Sequence, residues 1–179
     1  MRGRACGSQQ AVPDRRRYPR EMKENENGPM EMLLRPIGVI RNGHREKPEE
    51  PWEGIESEIV VHEELTEALD GIEDFSHVHV VFWLHRAEGE RGGYLKLHPE
   101  RREDIPMVGV FATRTMFRPN PVGVTAVRLL SRRGNVLRVL GLDALDGTPL
   151  LDLKPYLARG DAWPGATGPD WLKKLWAEE

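Results

Sequence analysis

Cysteine is almost missing from this chain: Cys6 is the only one among 179 residues. A single thiol excludes an internal disulfide and a cysteine-based zinc cage, and it suits a reducing cytoplasm. No apolar run approaches the ~20 residues that cross a bilayer, so no membrane partner is expected. The N-terminal arginines lack the apolar stretch of a secretory signal. An excess of one charge is also missing. Lys and Arg number 26 against 29 Asp and Glu, a net charge of -3, so any RNA contact would need a local basic patch. A glycine-rich phosphate loop and an internal repeat are absent too, which argues against the usual nucleotide-binding architecture.

The chain changes character near residue 31. Residues 1–31 hold Arg2, Arg4, Arg15, Arg16, Arg17 and Arg20, then an acidic-polar run from Glu21 to Gly28, with no hydrophobic periodicity. Such a segment buries too little surface to offset its ordering entropy and reads as a disordered extension. Met30 or Met32 are alternative starts, and a basic arm on RNA phosphates is the functional alternative. Residues 32–162 carry short apolar stretches punctuated by Gly and Pro. Strands are predicted at 33–41, 57–62, 77–84, 94–98, 107–113, 123–131, 135–143 and 150–154. Short helices are predicted at 64–69 and, in the tail 163–179, at 169–177. Eight short strands and few helices predict an all-β barrel or sandwich.

Chemistry-grade residues gather in four stretches. The run Val108 to Val124 passes from apolar residues into Arg114, Arg118 and Asn120, the last held between Pro119 and Pro121. Prolines fix their own φ and push the preceding residue to extended conformations, so the loop should be stiff and aim its polar groups. The strand Ser76 to His85 alternates, with Val78, Val80, Phe82 and Leu84 on a core face and His77, His79, Val81, Trp83 and His85 on the other. No cysteine or carboxylate motif completes a metal site around His77 and His79, so no metal is expected. In Leu140 to Tyr156, Asp146-Gly147 reads as a turn, while Asp143, Asp152, Lys154 and Tyr156 are candidates for a polar cluster. The proline-bounded loop around Trp52 can lid a flat ligand by stacking or cap a barrel end.

Four elements occur here in a fixed order: Arg35-Pro-Ile-Gly-Val-Ile-Arg41, Glu73-Asp-Phe-Ser-His77 leading to His85, Gly109 to Gly123 with its Phe-Ala-Thr-Arg and Arg-Pro-Asn-Pro strings, and Asp146-Gly-Thr-Pro with Asp152-Leu-Lys-Pro-Tyr156. Together they resemble the TsaA-like, or TrmO, family of S-adenosylmethionine-dependent methyltransferases acting on tRNA. The resemblance covers residue 34 to about 161. It implies a single small β-barrel, a homodimer, and methylation of N6 of N6-threonylcarbamoyladenosine at position 37, in the tRNA anticodon loop. Carried over by position, Trp52, Glu53, Gly54, His85, Arg86, Arg114, Val124, Leu140, Gly141, Leu142 and Asp143 are implied cofactor contacts. Arg118, Asn120, Lys154 and Tyr156 are candidates for holding substrate. Asp152, Asp143 and His85 are candidates for the base that takes the N6 proton. Thr115-Met116 stands where many relatives have Ser-Pro.

Longer bacterial relatives continue into a further C-terminal domain. That difference motivates two alternatives, methyl transfer to a small-molecule acceptor and a non-catalytic adenosine-ligand sensor. A basic groove from Arg128, Arg132, Arg133 and Arg138 is the candidate RNA patch, with a solvated strand edge as the competing reading.

Overall fold

The computed structural model describes residues 22–23, 31–90 and 95–176. The chain divides after Leu34 into a unit of residues 1–34 and a unit of residues 35–179. In the first unit, which takes in the extension expected at 1–31, strand β1 (Met22–Lys23) pairs antiparallel with β2 (Glu31–Met32). The rest of that extension, 1–21 and 24–30, lies outside the described residues.

The second unit is built on a closed barrel. Its strands in chain order are β3 (Gly38–Arg41), β4 (Glu56–Val61), β5 (His77–Trp83), β6 (Lys96–Leu97), β7 (Val108–Gly109), β8 (Val122–Arg133), β9 (Val136–Leu140) and β10 (Pro149–Pro155). Six of them close in the order β10-β3-β4-β9-β8-β5, every neighbour antiparallel. Strands β6 and β7 form a separate two-stranded ladder within the long β5–β8 connection. Two short helices follow the barrel, α1 (Ala158–Asp161) and α2 (Asp170–Trp176). The all-β barrel expected from the sequence is therefore the fold.

Alternation decides which residues fill the barrel. Ser57, Ile59 and Val61 of β4, and Val78, Val80 and Phe82 of β5, point in and are buried. They meet Ile40, Val127, Leu137, Val139 and Leu150 in one core. The largest side chain among them, Phe82, dictates its neighbour across the sheet. Phe82 pairs with Gly123, and a Cβ there would sit 2.4 Å from the Phe82 ring, so only glycine lets the ring lie over β8.

Several predicted bounds shift for local reasons. The strand expected at 33–41 starts only at Gly38; of that expected at 94–98, Tyr94 lies outside the described residues and Lys96–Leu97 is strand. The strand expected at 107–113 ends after Gly109, where Val110–Ala112 tightens into a 3₁₀ turn closed by the Thr113 amide on the Val110 carbonyl at 3.2 Å. The helix expected at 64–69 is a 3₁₀ helix, Glu63–Leu69. A bulge in β10 shifts register between Leu150 and Asp152, and the Leu153 amide turns to the Asp152 carboxylate at 2.9 Å. Leu150 and Leu153 therefore pack on the core, while Asp152 and Lys154 share the outer face.

Candidate functional site

In an antiparallel barrel, strand ends collect by parity. The ends of β3, β5 and β9 and the starts of β4, β8 and β10 share one end of the barrel, with the connections 42–55, 84–121 and 141–148 around it. The loop after β9 folds Leu142 and Ala144 into the core at this end. Asn42 ties the end together, its Nδ2 donating to Ser57 Oγ at 3.1 Å and to the Ala144 carbonyl at 2.8 Å. Asp146 adds a second tie, its Oδ1 accepting from the amides of Asn42 at 3.0 Å and Gly43 at 3.2 Å. Those two amides, with Arg41 and Arg45 beyond them, hold the Asp146 carboxyl below its ordinary value of 3.8. Expected only as a turn residue, Asp146 is a clamp between two rim loops.

Two segments expected around the cofactor meet here although nearly ninety residues apart. Trp52–Gly54 is a 3₁₀ turn whose Ile55 amide closes on the Trp52 carbonyl at 3.0 Å. The Trp52 ring stands edge-on to His44, centroids 6.2 Å apart. Gly141 has φ of +90° and donates its amide to the Ile55 carbonyl at 3.0 Å. That left-handed turn ends β9 at Leu140 and sets the segment 140–143 beside Glu53. Asp143 therefore leaves the sheet instead of ending a strand, and Thr125 Oγ1 of β8 donates to its Oδ1. Leu142 is fully buried, so its side chain serves the core and only its backbone can face a ligand.

His85 starts a 3₁₀ helix, His85–Glu90, directly after β5. Its Nδ1 lies 3.3 Å from the hydroxyl of Thr148, a polar side chain only 3% exposed. The Leu84 amide on the Pro121 carbonyl at 2.8 Å fastens this corner to the arginine loop. That loop is stiffened by its own threonines. Thr113 Oγ1 accepts the Thr115 amide and Thr115 Oγ1 accepts the Phe117 amide, both at 3.3 Å. Arg118 turns back to give one N–H to the Thr113 carbonyl at 3.4 Å, whereas Arg114 and Asn120 are exposed, as is Arg86.

Other candidates lie elsewhere, on the outer wall. Val124, Val81 and Asp152 form one cross-strand row, and Ala126, His79 and Lys154 the next. Lys154 pairs with Asp152 at 2.5 Å, and the Tyr156 ring packs on His79 at 5.2 Å. Asp152, Lys154 and Tyr156 are thus brought together with one another and with Val124, on the wall rather than at the rim loops.

Of the four arginines of the expected basic groove, Arg132 and Arg138 are paired with carboxylates. Arg132 donates to Asp70, Glu73 and the carbonyls of Leu69 and Thr66, which raises its own pKa and, with a backbone hydrogen bond, lowers that of Glu73. Arg138 pairs with Glu56. A cavity of about 480 Å³ beside β4 is lined by two ion pairs, Arg41 with Asp146 and Arg138 with Glu56, and by Glu58. Among the described residues no three His, Cys, Asp or Glu side chains gather as a metal site requires, and no helix is long and apolar enough to cross a membrane.

Comparison with known proteins finds relatives of this barrel. Residues 41–162 match the model of the tRNA-methyltransferase O N-terminal domain. A probable S-adenosyl-L-methionine-binding protein of Methanothermobacter thermautotrophicus is 45% identical over 131 residues, 71% of this chain and 91% of that protein. A tRNA (adenine(37)-N6)-methyltransferase of Escherichia coli is 37% identical over 144 residues, 73% of this chain and 60% of that enzyme. The crystal structure of TrmO from P. aeruginosa superposes with a TM-score of 0.66 at 33% identity, covering 82% of this chain. This chain spans 64% of that solved protein's length.

Proposed function

The chain belongs to the tRNA-methyltransferase O family, and we propose on that premise that its barrel end holds S-adenosylmethionine and directs methyl transfer to N6 of a tRNA adenosine. The finer reading is N6-threonylcarbamoyladenosine at position 37 of the anticodon loop as acceptor, methylated by a homodimer in the cytoplasm. The observation that carries the proposal is the meeting of Trp52–Gly54 with Leu140–Asp143 through the Gly141 amide.

The residues there suit the cofactor's chemistry. Exposed guanidiniums of Arg86 and Arg114 can pair with a carboxylate, and the Glu53 and Asp143 carboxylates can accept from an amine or ribose hydroxyls. Trp52 supplies an aromatic face for an adenine or a cation. When bound, S-adenosylmethionine supplies an electrophilic methyl group. The chain's share is alignment, which is worth much of the rate in a displacement, and acceptance of the N6 proton. Arg118 and Asn120 are proposed to hold the acceptor from the stiff loop, with Lys154 and Tyr156 on the adjoining wall. Exposed Phe111, Met116 and Val124 support a second copy as partner.

Saturable S-adenosylmethionine binding by calorimetry, weakened by Arg114→Ala, tests the cofactor. Nucleoside mass spectrometry of tRNA from deletion and parent strains tests the acceptor, and an unchanged profile refutes it. The names of the archaeal relatives favour a second reading, a binding protein without catalysis. Binding with no S-adenosylhomocysteine formed on total tRNA or metabolite extract selects it, and product on the extract alone selects a small-molecule acceptor.

A further inference from the structure

We propose that Thr148 sets the tautomer of His85, holding the neutral ring in its Nε2–H form. His85 then acts as a hydrogen-bond donor, and the carboxylate of Asp143 receives the acceptor's proton. The tautomer stands on geometry alone, whereas its catalytic consequence rests on the function proposed above.

Among the described residues the Thr148 hydroxyl has one hydrogen-bond partner, His85 Nδ1 at 3.3 Å. Thr148 is 3% exposed, so water does not offer a ready substitute. A hydroxyl carries one proton and two lone pairs. Stranding that proton in a buried place costs more than leaving a lone pair unmatched. The one acceptor in reach is Nδ1, so the hydroxyl donates to it. An Nδ1 that accepts carries no proton, and the neutral imidazole must then hold its proton on Nε2. The reverse pairing, Nδ1–H to the hydroxyl, would leave the Thr148 proton without a partner.

Both ends of this contact are fixed by backbone. Thr148 precedes Pro149, which biases it to extended conformations. Its amide donates to the Leu145 carbonyl at 3.2 Å, and the neighbouring Gly147 amide donates to the Ile40 carbonyl at 2.9 Å. On the other side the Leu84 and Ala87 amides bracket His85, bonding the Pro121 and Leu84 carbonyls at 2.8 and 2.9 Å. A hydroxyl and a ring so anchored are pre-organised rather than incidental neighbours. The molecule also contains the opposite case. His98 Nδ1 lies 2.7 Å from the Ile105 carbonyl, and since a carbonyl only accepts, the proton there is on Nδ1.

An Nε2–H cannot take a proton from N6 of the acceptor. Of the three candidate bases, Asp152 is tied to Lys154 on the outer wall. Asp143 remains, with Oδ1 held by the Thr125 hydroxyl and a second oxygen to accept with. With S-adenosylmethionine bound, the proton leaving N6 would go to that carboxylate as the new N–CH3 bond forms, the sulfonium S–CH3 bond breaks and S-adenosylhomocysteine leaves.

Long-range 1H–15N spectra of the full chain labelled with 15N-histidine read the tautomer directly. The measurement is made near pH 8.5, well above the ordinary imidazole pKa of about 6.5. The expected result is His85 in the Nε2–H form and His98 in the Nδ1–H form within one spectrum. His85 found as Nδ1–H in the wild type overturns the proposal without any variant. Thr148→Val should move His85 away from pure Nε2–H and Thr148→Ser should restore it, and an unmoved valine spectrum equally overturns it. Thr148→Val should lower kcat by roughly ten- to a hundredfold and alter its pH profile, with serine rescuing both. An unchanged kcat and profile in the valine variant refutes the positioning role. The expected tautomers in a protein that methylates no tRNA uphold the geometry and count against the enzymatic reading alone.

Discussion

Removing the Asp146 carboxylate should unfasten the rim of the barrel, and the size of the loss can be worked from its contacts. Asp146 Oδ1 accepts two backbone amides, Asn42 at 3.0 Å and Gly43 at 3.2 Å. Hydrogen bonds to a charged group contribute about 1.5–3 kcal/mol net each. Gly43 is exposed, so water replaces its bond at little cost, whereas Asn42 is half-buried and keeps most of its loss. The Arg41 contact, 3.7 Å long with the arginine 55% exposed, adds at most a few tenths of a kcal/mol. Asp146→Ala should therefore cost about 2–3 kcal/mol. Asp146→Asn keeps an oxygen acceptor but drops the charge, and should cost about 1 kcal/mol.

The loss has a pH signature. Folding lowers the Asp146 pKa below 3.8, so the folded state releases this proton more readily than the unfolded one. Its contribution is complete above the unfolded value and disappears as pH falls through the lower, folded one. Urea titrations of wild type and Asp146→Asn should differ at pH 7 and converge below about pH 3.8. Asp104 and Glu73 are also held below their ordinary values, but both proteins share them and they cancel in the difference. A gap that stays constant down to acid pH, or an alanine variant as stable as wild type, would refute the reasoning.

Gly123→Ala should destabilise by about 1–3 kcal/mol by overpacking against Phe82, and Phe82→Leu in the same chain should recover part of it in a double-mutant cycle read by urea denaturation. Arg132→Gln should lower the melting temperature and speed amide exchange across Glu63–Asp74, because that guanidinium ties Thr66, Leu69, Asp70 and Glu73 to β8; unchanged exchange there would show the clamp to be idle. Thr125→Val should reduce turnover while Thr125→Ser does not, since the hydroxyl aims Asp143; equal turnover in both would remove that role.

How much of this was legible in the sequence depends on the period of the signal. Alternation along 77–84 identified the core face of β5, because a two-residue period in a barrel leaves no other way to bury Val78, Val80 and Phe82. Where one residue broke the period, the reading slipped. The β10 bulge at Asp152 puts Leu150 and Leu153, three residues apart, on the core, and no composition cue marks a bulge whose cause is a side chain bonding the next amide. The left-handed turn at Gly141 likewise ended β9 three residues before its predicted end and freed Asp143 from the sheet.

At the site, local signals named charged and aromatic residues and passed over the neutral hydroxyls that hold them. Thr148 sits within Asp146-Gly-Thr-Pro, where the turn residues drew attention, and Thr125 sits inside an ordinary strand pattern. Neither is conspicuous, because their partners His85 and Asp143 lie 63 and 18 residues away. A hydroxyl's role depends on what the closed barrel brings within about 3 Å of it, and closure is a long-range property.

That division between what acts and what holds follows from the architecture. The barrel's interior is apolar, so groups at its rim must find polar partners on neighbouring strand ends or face solvent. Thr125, inside β8, and the buried Thr148, at the end of the 141–148 connection, reach Asp143 and His85. Loops 42–55 and 141–148 are tied to each other by Asn42, Asp146 and Gly141, so Glu53 and Asp143 sit on a frame that the strands fix, and His85 meets it through Thr148. The arginine loop 113–121 joins that frame where the Leu84 amide bonds the Pro121 carbonyl, and its own threonines brace it. On the function proposed above, proton chemistry would fall to the rigid rim and recognition of a bulky acceptor to the arginine loop.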